Sequence, residues 1–235
     1  MTAPDGAAHP EVERAAAAYR VLLAHFSLAG VDRGLLAERY PPEQPGQPRI
    51  AFLWPYSQAL EADLSISRLA GAGSRAGQEL PRRLAALGRY WRPEPEPPGY
   101  QSTVMPALGP LSDLFYDDNL WVALALIEHG RLTGGDEHVS RARAIFRLIE
   151  SGWDRDGRHP APGGVFWVRA DWSRDRNTVS TAPASKLASH LYELTGDENY
   201  LDWALRLYAW VERELRAPNG LYWDHVDLAS RIEQT

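Results

Sequence analysis

Apolar residues recur at helical spacing along most of the chain. After Asp197 they follow one stripe at i, i+3, i+4, i+7, i+11 and i+15, the pattern of a helix with one buried face. The members of this stripe are Tyr200, Trp203, Ala204, Leu207, Val211 and Leu215. The segment from Leu120 to Ile127 is instead apolar almost all round. It therefore predicts a helix that other helices cover on both sides.

The same periodicity predicts seven helices. We expect them near residues 10–28, 54–70, 76–91, 117–132, 137–150, 182–194 and 198–216. The proline-rich stretches at 41–48 and 93–98 predict loops, because proline cannot continue the helical hydrogen-bond ladder. Strand patterns are limited to short pieces such as Val165 to Val168.

One helix ending occurs three times along the chain. Leu69, Leu132 and Leu194 lie in Arg-Leu-Ala-Gly, Arg-Leu-Thr-Gly and Glu-Leu-Thr-Gly. The glycine of each copy follows a helix, where a left-handed residue commonly ends it. Asp136 and Asp197 then offer N-caps to the next helices. Hairpins of a buried and an amphipathic helix, repeated about every sixty residues, predict an all-α protein of the α/α toroid type.

Composition and charge narrow the possible partners. The net charge is −6 and no basic stripe is present, which argues against nucleic acid as a partner. No cysteine is present, so disulfides, thiolate metal sites and a cysteine nucleophile are excluded. No apolar stretch approaches the ~20 residues of a membrane span, and the start from Met1 to Glu13 lacks the pattern of an export signal. The chain as written is therefore expected in the cytoplasm, away from membranes.

Two adjacent carboxylates, Asp117 and Asp118, stand at the start of the most apolar predicted helix. A helix N-terminus favours an ionised carboxylate, which suits a nucleophile. Burial and a like charge raise the pKa of the partner, which suits a general acid. From spacing alone, however, capping and first-turn acids are the more common explanation of such a pair.

Other candidate chemistry is weaker. The segment from Asp154 to Gly157 resembles the opening of a calcium loop, but His159 stands where glycine is needed, so we predict a polar turn. No histidine or acid spacing indicates a metal site, and no metal or organic cofactor is expected. Five tryptophans could stack on sugar rings, although core packing is more common, and Trp121 and Trp167 are preferred among them. The five are Trp54, Trp121, Trp167, Trp172 and Trp223.

Several motifs then stand in a fixed order. They are Tyr116 to Ala125, Gly152-Trp153-Asp154, Gly163 to Trp167, Asn177 with Ser180 to Pro183, and Asn219 to Asp224. Together they resemble glycoside hydrolase family 76, the α-1,6-mannanases, over about Trp54 to Asp224. The resemblance implies an (α/α)6 toroid that cleaves α-1,6-linked mannose chains with retention of configuration.

The resemblance also implies roles for individual residues. Asp117 would be the nucleophile and Asp118 the acid/base, with no cofactor. The matching motifs also supply the expected substrate-binding residues, which are Tyr116, Trp121, Trp167, Asn177 and Thr181. For Thr181 the alternative is equally open that the segment before Pro183 only starts a helix.

Length sets a limit on this expectation. Six hairpins of this repeat need about 370 residues, so we expect a single, C-terminally truncated toroid domain over residues 1–235, with about seven of twelve helices. Its open edge predicts self-association. An N-terminal segment that is missing from this sequence would change the expected location from cytoplasmic to secreted. The alternative function is a non-catalytic fragment that keeps part of a carbohydrate-binding cleft.

Overall fold

The computed structural model describes residues 10–42, 48–71, 73–104 and 111–228. Seven α-helices lie in these ranges, and each overlaps one predicted helix. They are α1 (Pro10–Phe26), α2 (Leu53–Ala70), α3 (Arg75–Leu87), α4 (Tyr116–Thr133), α5 (Asp136–Ser151), α6 (Thr178–Thr195) and α7 (Glu198–Glu214). None of these helices is long and apolar enough to cross a membrane.

Within the same described ranges, four two-residue strands accompany the helices. They are β1 (Trp91–Arg92), β2 (Gly99–Tyr100), β3 (Arg176–Asn177) and β4 (His225–Val226). β1 pairs with β2 and β3 with β4, both antiparallel. The proline-rich loop predicted at 93–98 joins β1 to β2. Part of the loop predicted at 41–48 and the first nine residues, on which the export-signal expectation rests, lie outside the described residues.

The chain divides into two compact units, Met1–Arg89 and Tyr90–Thr235. The first contains α1 to α3. Asp63 of α2 is fully buried there, and it accepts hydrogen bonds from the Tyr19 hydroxyl of α1 and the Arg83 guanidinium of α3. These bonds replace the hydration that a buried carboxylate loses. The single domain over residues 1–235 stays a prediction.

The second unit is built around α4. This helix packs against α5 and α6, and α6 packs against α7. The apolar segment from Leu120 to Ile127 is buried except at Trp121 and Leu124, which are partly exposed. α7 instead buries a single stripe, which consists of Trp203, Ala204, Leu207, Trp210 and Val211. The predicted contrast between an inner and an outer helix is therefore confirmed.

The predicted helix endings are mostly correct. Gly134 and Gly196 are left-handed and end α4 and α6. Gly71 ends α2 with φ +83° and ψ 164°, so the left-handed helical ending was wrong for this copy. Asp197 is the N-cap of α7, and its carboxylate accepts the Asn199 N–H at 3.0 Å. The N-cap prediction was wrong for Asp136, which is the first residue of α5 and follows Gly135 as the cap.

Helix α6 begins four residues earlier than predicted. It starts at Thr178 with Asn177 as N-cap, and Pro183 lies inside it. Proline supplies no N–H, so the carbonyl of Val179 loses its helical partner. Val179 itself is exposed at the surface, so water can take that hydrogen bond. The proline therefore does not mark the start of this helix.

The short strand-like piece Val165 to Val168 forms single bridges instead of a regular strand. It pairs with Trp153, Arg176 and Phe115. Because these partners come from three different parts of the chain, the segment connects the end of α5, β3 and the start of α4. The candidate site depends on this connection.

A close glycine contact fixes one end of the segment. Gly164 has a φ of +78°, and a Cβ at this position would lie 2.5 Å from the Trp210 indole. Trp210 is itself 1% exposed and cannot move toward solvent without leaving the core. Only glycine fits both the backbone conformation and the contact.

We expect Gly164→Ala to lower the free energy of unfolding by about 3 kcal/mol, from backbone strain of about 1 kcal/mol and overpacking against Trp210. Gly196→Ala is the matched control, because its φ is +66° but a Cβ there would meet nothing within 4 Å. It should cost only about 1 kcal/mol. Urea denaturation followed by tryptophan fluorescence measures both variants, and equal losses would contradict the packing described.

Candidate active site

Asp117 and Asp118 lie in the first turn of α4, with Phe115 as the N-cap. Because α4 packs against both α5 and α6, its first turn carries these carboxylates toward the interior. Asp118 is 8% exposed and Asp117 is partly buried. Two adjacent acids in a first turn are common on a protein surface, but burial of such a pair is costly unless one member is neutral.

The two carboxyls differ in pKa, and the cause is local. Burial raises the pKa of Asp117 to about 6, while hydrogen bonds from backbone N–H groups and the Trp167 indole favour its charged form. For Asp118, burial and the neighbouring charge of Asp117 act in the same direction and raise the pKa to about 8. Between these values, Asp117 is ionised and Asp118 is protonated.

Trp167 is the side chain that distinguishes the two acids. Its indole N–H donates to Asp117 Oδ2 at 3.3 Å. The backbone of Trp167 is held on both sides, because its N–H donates to the Asp175 carbonyl and its carbonyl accepts the Tyr116 N–H. The second oxygen of Asp117, Oδ1, is buried and has no hydrogen-bond partner among the described residues. One oxygen is thus oriented by Trp167, while the other has no such hydrogen bond.

An aromatic cluster adjoins Asp117. The Trp167 ring packs against Phe115 and Trp172, with centroids 5.0 Å and 5.6 Å away. Trp121 is partly exposed and lies one turn after Asp117 on the same face of α4. Trp172, which the sequence did not favour over Trp121 and Trp167, joins this cluster because residues 115, 167 and 172 meet only in the folded chain.

Two of the predicted substrate-binding residues, Tyr116 and Thr181, are buried. Tyr116 is 4% exposed, and its ring lies so close to Gly152 that a Cβ there would be 2.6 Å from it. Thr181 is fully buried, and its hydroxyl accepts the Val165 N–H at 3.0 Å. The Thr181 contact holds the segment that carries Trp167, while substrate binding by Tyr116 and Thr181 stays a prediction.

The predicted residue Asn177 lies at the junction of β3 and α6. Its backbone N–H donates to the Val165 carbonyl at 3.3 Å, while its side-chain Oδ1 is buried without a partner in the described chain. Ser180 Oγ, one turn into α6, is also buried and unpartnered there. Buried polar atoms are rarely left unpaired, so water or a ligand hydroxyl is the expected partner. Ser180 had no assigned role in the sequence analysis.

A buried ion pair supports β3 beside the site. Arg176 is fully buried and donates to Asp154 Oδ2 at 3.0 Å, and His159 Nδ1 lies 2.9 Å from the same oxygen. The Asp156 N–H donates to Asp154 Oδ1, which closes the polar turn predicted for this segment. The sequence could not indicate that Asp154 has a buried arginine as its partner 22 residues later.

The described residues contain no cluster of metal-binding side chains. Across the described ranges, no group of three or more histidine, aspartate, glutamate or cysteine side chains is close enough to hold a metal ion.

Comparison with known proteins gives a consistent result. The profile of Glycosyl hydrolase family 76 matches residues 97–235. Mannan endo-1,6-alpha-mannosidase DCW1 of Saccharomyces cerevisiae is 32% identical over 84 residues, which are 34% of this chain and 18% of the yeast protein. The corresponding protein of Candida glabrata is 32% identical over 83 residues, with the same coverage. The chain thus matches less than a fifth of the length of these relatives.

Solved structures show the fold. A family 76 glycoside hydrolase from a bovine Bacteroides thetaiotaomicron strain superposes with a TM-score of 0.83 at 22% identity, covering 97% of this chain and 49% of that one. A second structure is an inactive α-1,6-mannanase variant from Salegentibacter with α-1,6-mannotriose bound, in which two consecutive aspartates are replaced by asparagine. It superposes with a TM-score of 0.72 at 18% identity, covering 95% of this chain and 58% of that one. The predicted (α/α)6 toroid is therefore confirmed as the fold class, incomplete in this chain, which spans about half of these structures.

We expect Trp167→Phe to raise the pKa of Asp117 by about one unit, because the substitution keeps the ring but removes the N–H that stabilises the charged carboxylate. Carboxyl carbon NMR across a pH titration measures this value. Tyr208→Phe, on the exposed face of α7, is the control and should leave it unchanged. An unchanged pKa in Trp167→Phe would contradict the hydrogen bond described.

The pair also predicts how stability depends on pH. Both carboxyls have pKa values in the folded state above the unfolded value of about 3.9. Their contribution to the free energy of unfolding is therefore fully present below about pH 4, and it is lost as pH rises through about 6 and 8. We expect Asp118→Asn to raise the free energy of unfolding by at least about 1 kcal/mol at pH 9, with no gain at pH 4.

Denaturant unfolding at the two pH values measures this effect. Asp136→Asn is the matched control, because Asp136 and Glu137 are also adjacent acids in the first turn of a helix but are exposed. It should show no pH-dependent gain. A loss of stability in Asp118→Asn at pH 9 would refute the proposed cost of the buried charge.

Proposed function

Because this chain belongs to glycosyl hydrolase family 76, we propose that it is a glycosidase that hydrolyses α-1,6-linked mannan or mannooligosaccharides. The observation that supports this most directly is the buried pair Asp117–Asp118, whose two pKa values differ. A glycosidase needs two carboxyl groups, one ionised and one protonated, at the same time. The names of the yeast relatives and the mannotriose bound to the Salegentibacter enzyme support an α-1,6-mannoside as substrate.

In the first step, Asp117 is the nucleophile. A carboxylate oxygen of Asp117 attacks the anomeric carbon of the mannosyl residue, and the bond from that carbon to the leaving oxygen breaks. Asp118 gives its proton to the departing oxygen, so the leaving sugar is released as an alcohol. A covalent mannosyl ester of Asp117 remains.

In the second step, Asp118 is the base. Now ionised, it takes a proton from a water molecule whose oxygen attacks the anomeric carbon and releases Asp117. Two successive inversions give net retention of configuration. The charge that forms on Asp118 is removed again when it takes the proton, so both acids return to their starting states.

The Trp167 hydrogen bond supports this assignment of roles. An indole N–H at Asp117 Oδ2 stabilises the charged form of that acid and fixes the orientation of its carboxylate plane. Asp118 instead faces the charge of Asp117 and keeps its proton to higher pH. The reverse assignment would require the acid with the higher pKa to be the ionised one.

Hydrolysis of a linear α-1,6-mannooligosaccharide tests the proposal. We expect a bell-shaped dependence of kcat/KM on pH, with limbs near 6 and 8, because activity requires Asp117 ionised and Asp118 protonated. NMR of the fresh product should show the α-anomer first. Asp117→Asn and Asp118→Asn should each lower kcat at least about 1000-fold.

Asp136→Asn serves again as the control and should retain full activity. Formation of the β-anomer first would overturn the double-displacement mechanism while leaving hydrolysis intact. A folded chain that binds the oligosaccharide without cleaving it would favour the alternative, a non-catalytic fragment with part of a carbohydrate-binding cleft. That outcome has a physical basis, because the chain spans about half of the solved family 76 structures it resembles.

A further inference from the structure

Trp172 is an exposed aromatic residue with an unusually well-fixed side chain. It is 58% exposed and lies in the loop between Val168 and β3. Its indole N–H donates to Asp113 Oδ2 at 2.8 Å. Its ring also meets Phe115 and Trp167 edge-on, with centroids 6.0 Å and 5.6 Å away. One part of the ring is thus held by protein while another part faces solvent.

The loop that carries Trp172 is anchored at both ends. At its start, the Arg169 guanidinium donates to the carbonyls of Glu96 and Pro97, each at 2.8 Å, and the Arg169 N–H donates to the Leu114 carbonyl. At its end, the Asp175 carbonyl accepts the Trp167 N–H at 2.8 Å. An aromatic side chain that is ordered before binding loses little conformational entropy when a ligand covers it.

Trp172 is connected to the carboxylates through one ring. It packs on Trp167, whose indole N–H reaches Asp117 Oδ2. A sugar ring has apolar C–H faces that pack on aromatic rings, while its hydroxyl groups need hydrogen-bond partners. Trp172 offers the aromatic surface, and the Asp113 carboxylate beside it offers an acceptor.

We propose that Trp172 is a substrate-binding residue, and that its exposed face stacks on a pyranose ring of the α-mannoside next to the residue bound at Asp117. This inference rests on the proposed function. It places Trp172 outside the chemical steps, so it contributes to affinity for the chain and not to bond cleavage. The effect should therefore appear in KM and should grow with substrate length.

Kinetics on linear α-1,6-mannooligosaccharides of increasing length test this inference. We expect Trp172→Ala to raise KM about 3- to 30-fold for the longer substrates with kcat nearly unchanged, and Trp172→Phe to retain part of the affinity. Tyr208→Ala is the matched control, because Tyr208 is also 58% exposed but lies on α7, and its KM should equal that of the unsubstituted chain. Circular dichroism establishes that each variant is folded.

The outcomes separate this inference from the proposed function. If the chain cleaves the substrates and Trp172→Ala leaves KM unchanged at every length, Trp172 is not a substrate-binding residue but the proposed function stands. A fall in kcat alone would also overturn the inference. If the chain binds the substrates without cleaving them, calorimetric titration gives the dissociation constants of Trp172→Ala and of the unsubstituted chain, and equal constants would overturn the inference. If it neither binds nor cleaves, both proposals fail together.

Discussion

Two adjacent carboxylates cannot both be buried and both be charged without a large electrostatic cost. Asp117 and Asp118 are subject to this constraint, because the apolar helix α4 that carries them packs against α5 and α6. The cost is reduced because the two acids have different pKa values. The Trp167 N–H favours the charged form of Asp117, whereas burial and the charge of Asp117 both raise the pKa of Asp118. Several contacts within the second unit keep Trp167 in place.

That support comes from several distant parts of the sequence. Tyr116 and Asp175 hold the backbone of Trp167, Thr181 holds Val165, and Gly164 fits only because it lacks a side chain beside Trp210. Each of these contacts is structural, yet each determines where one indole N–H points. Residues of this kind would influence the proposed reaction only through the geometry of the groups that they hold.

The sequence predicted the helices well, because periodicity and glycine endings are local signals. The contrast between the buried α4 and the one-sided α7 follows directly from the apolar pattern. Pro183 does not mark the start of α6, because the only helical hydrogen bond that it removes is the one to the exposed Val179. The sequence identifies Asp117 and Asp118 as an adjacent pair of acids, but it does not show how far each is buried. The contacts of Trp172 with Phe115 and of Asp154 with Arg176 join residues 57 and 22 positions apart, and no periodic signal encodes such pairs.

In the proposed mechanism, Asp117 is the ionised nucleophile and Asp118 is its protonated partner. Trapping the covalent intermediate is the most direct test of these roles. In Asp118→Ala, an α-mannoside with a good leaving group needs no acid to react, while the second step lacks its base. We expect mass spectrometry to find one mannosyl residue attached to the peptide that contains Asp117. Turnover without any such adduct, or an adduct on a different residue, would contradict these roles.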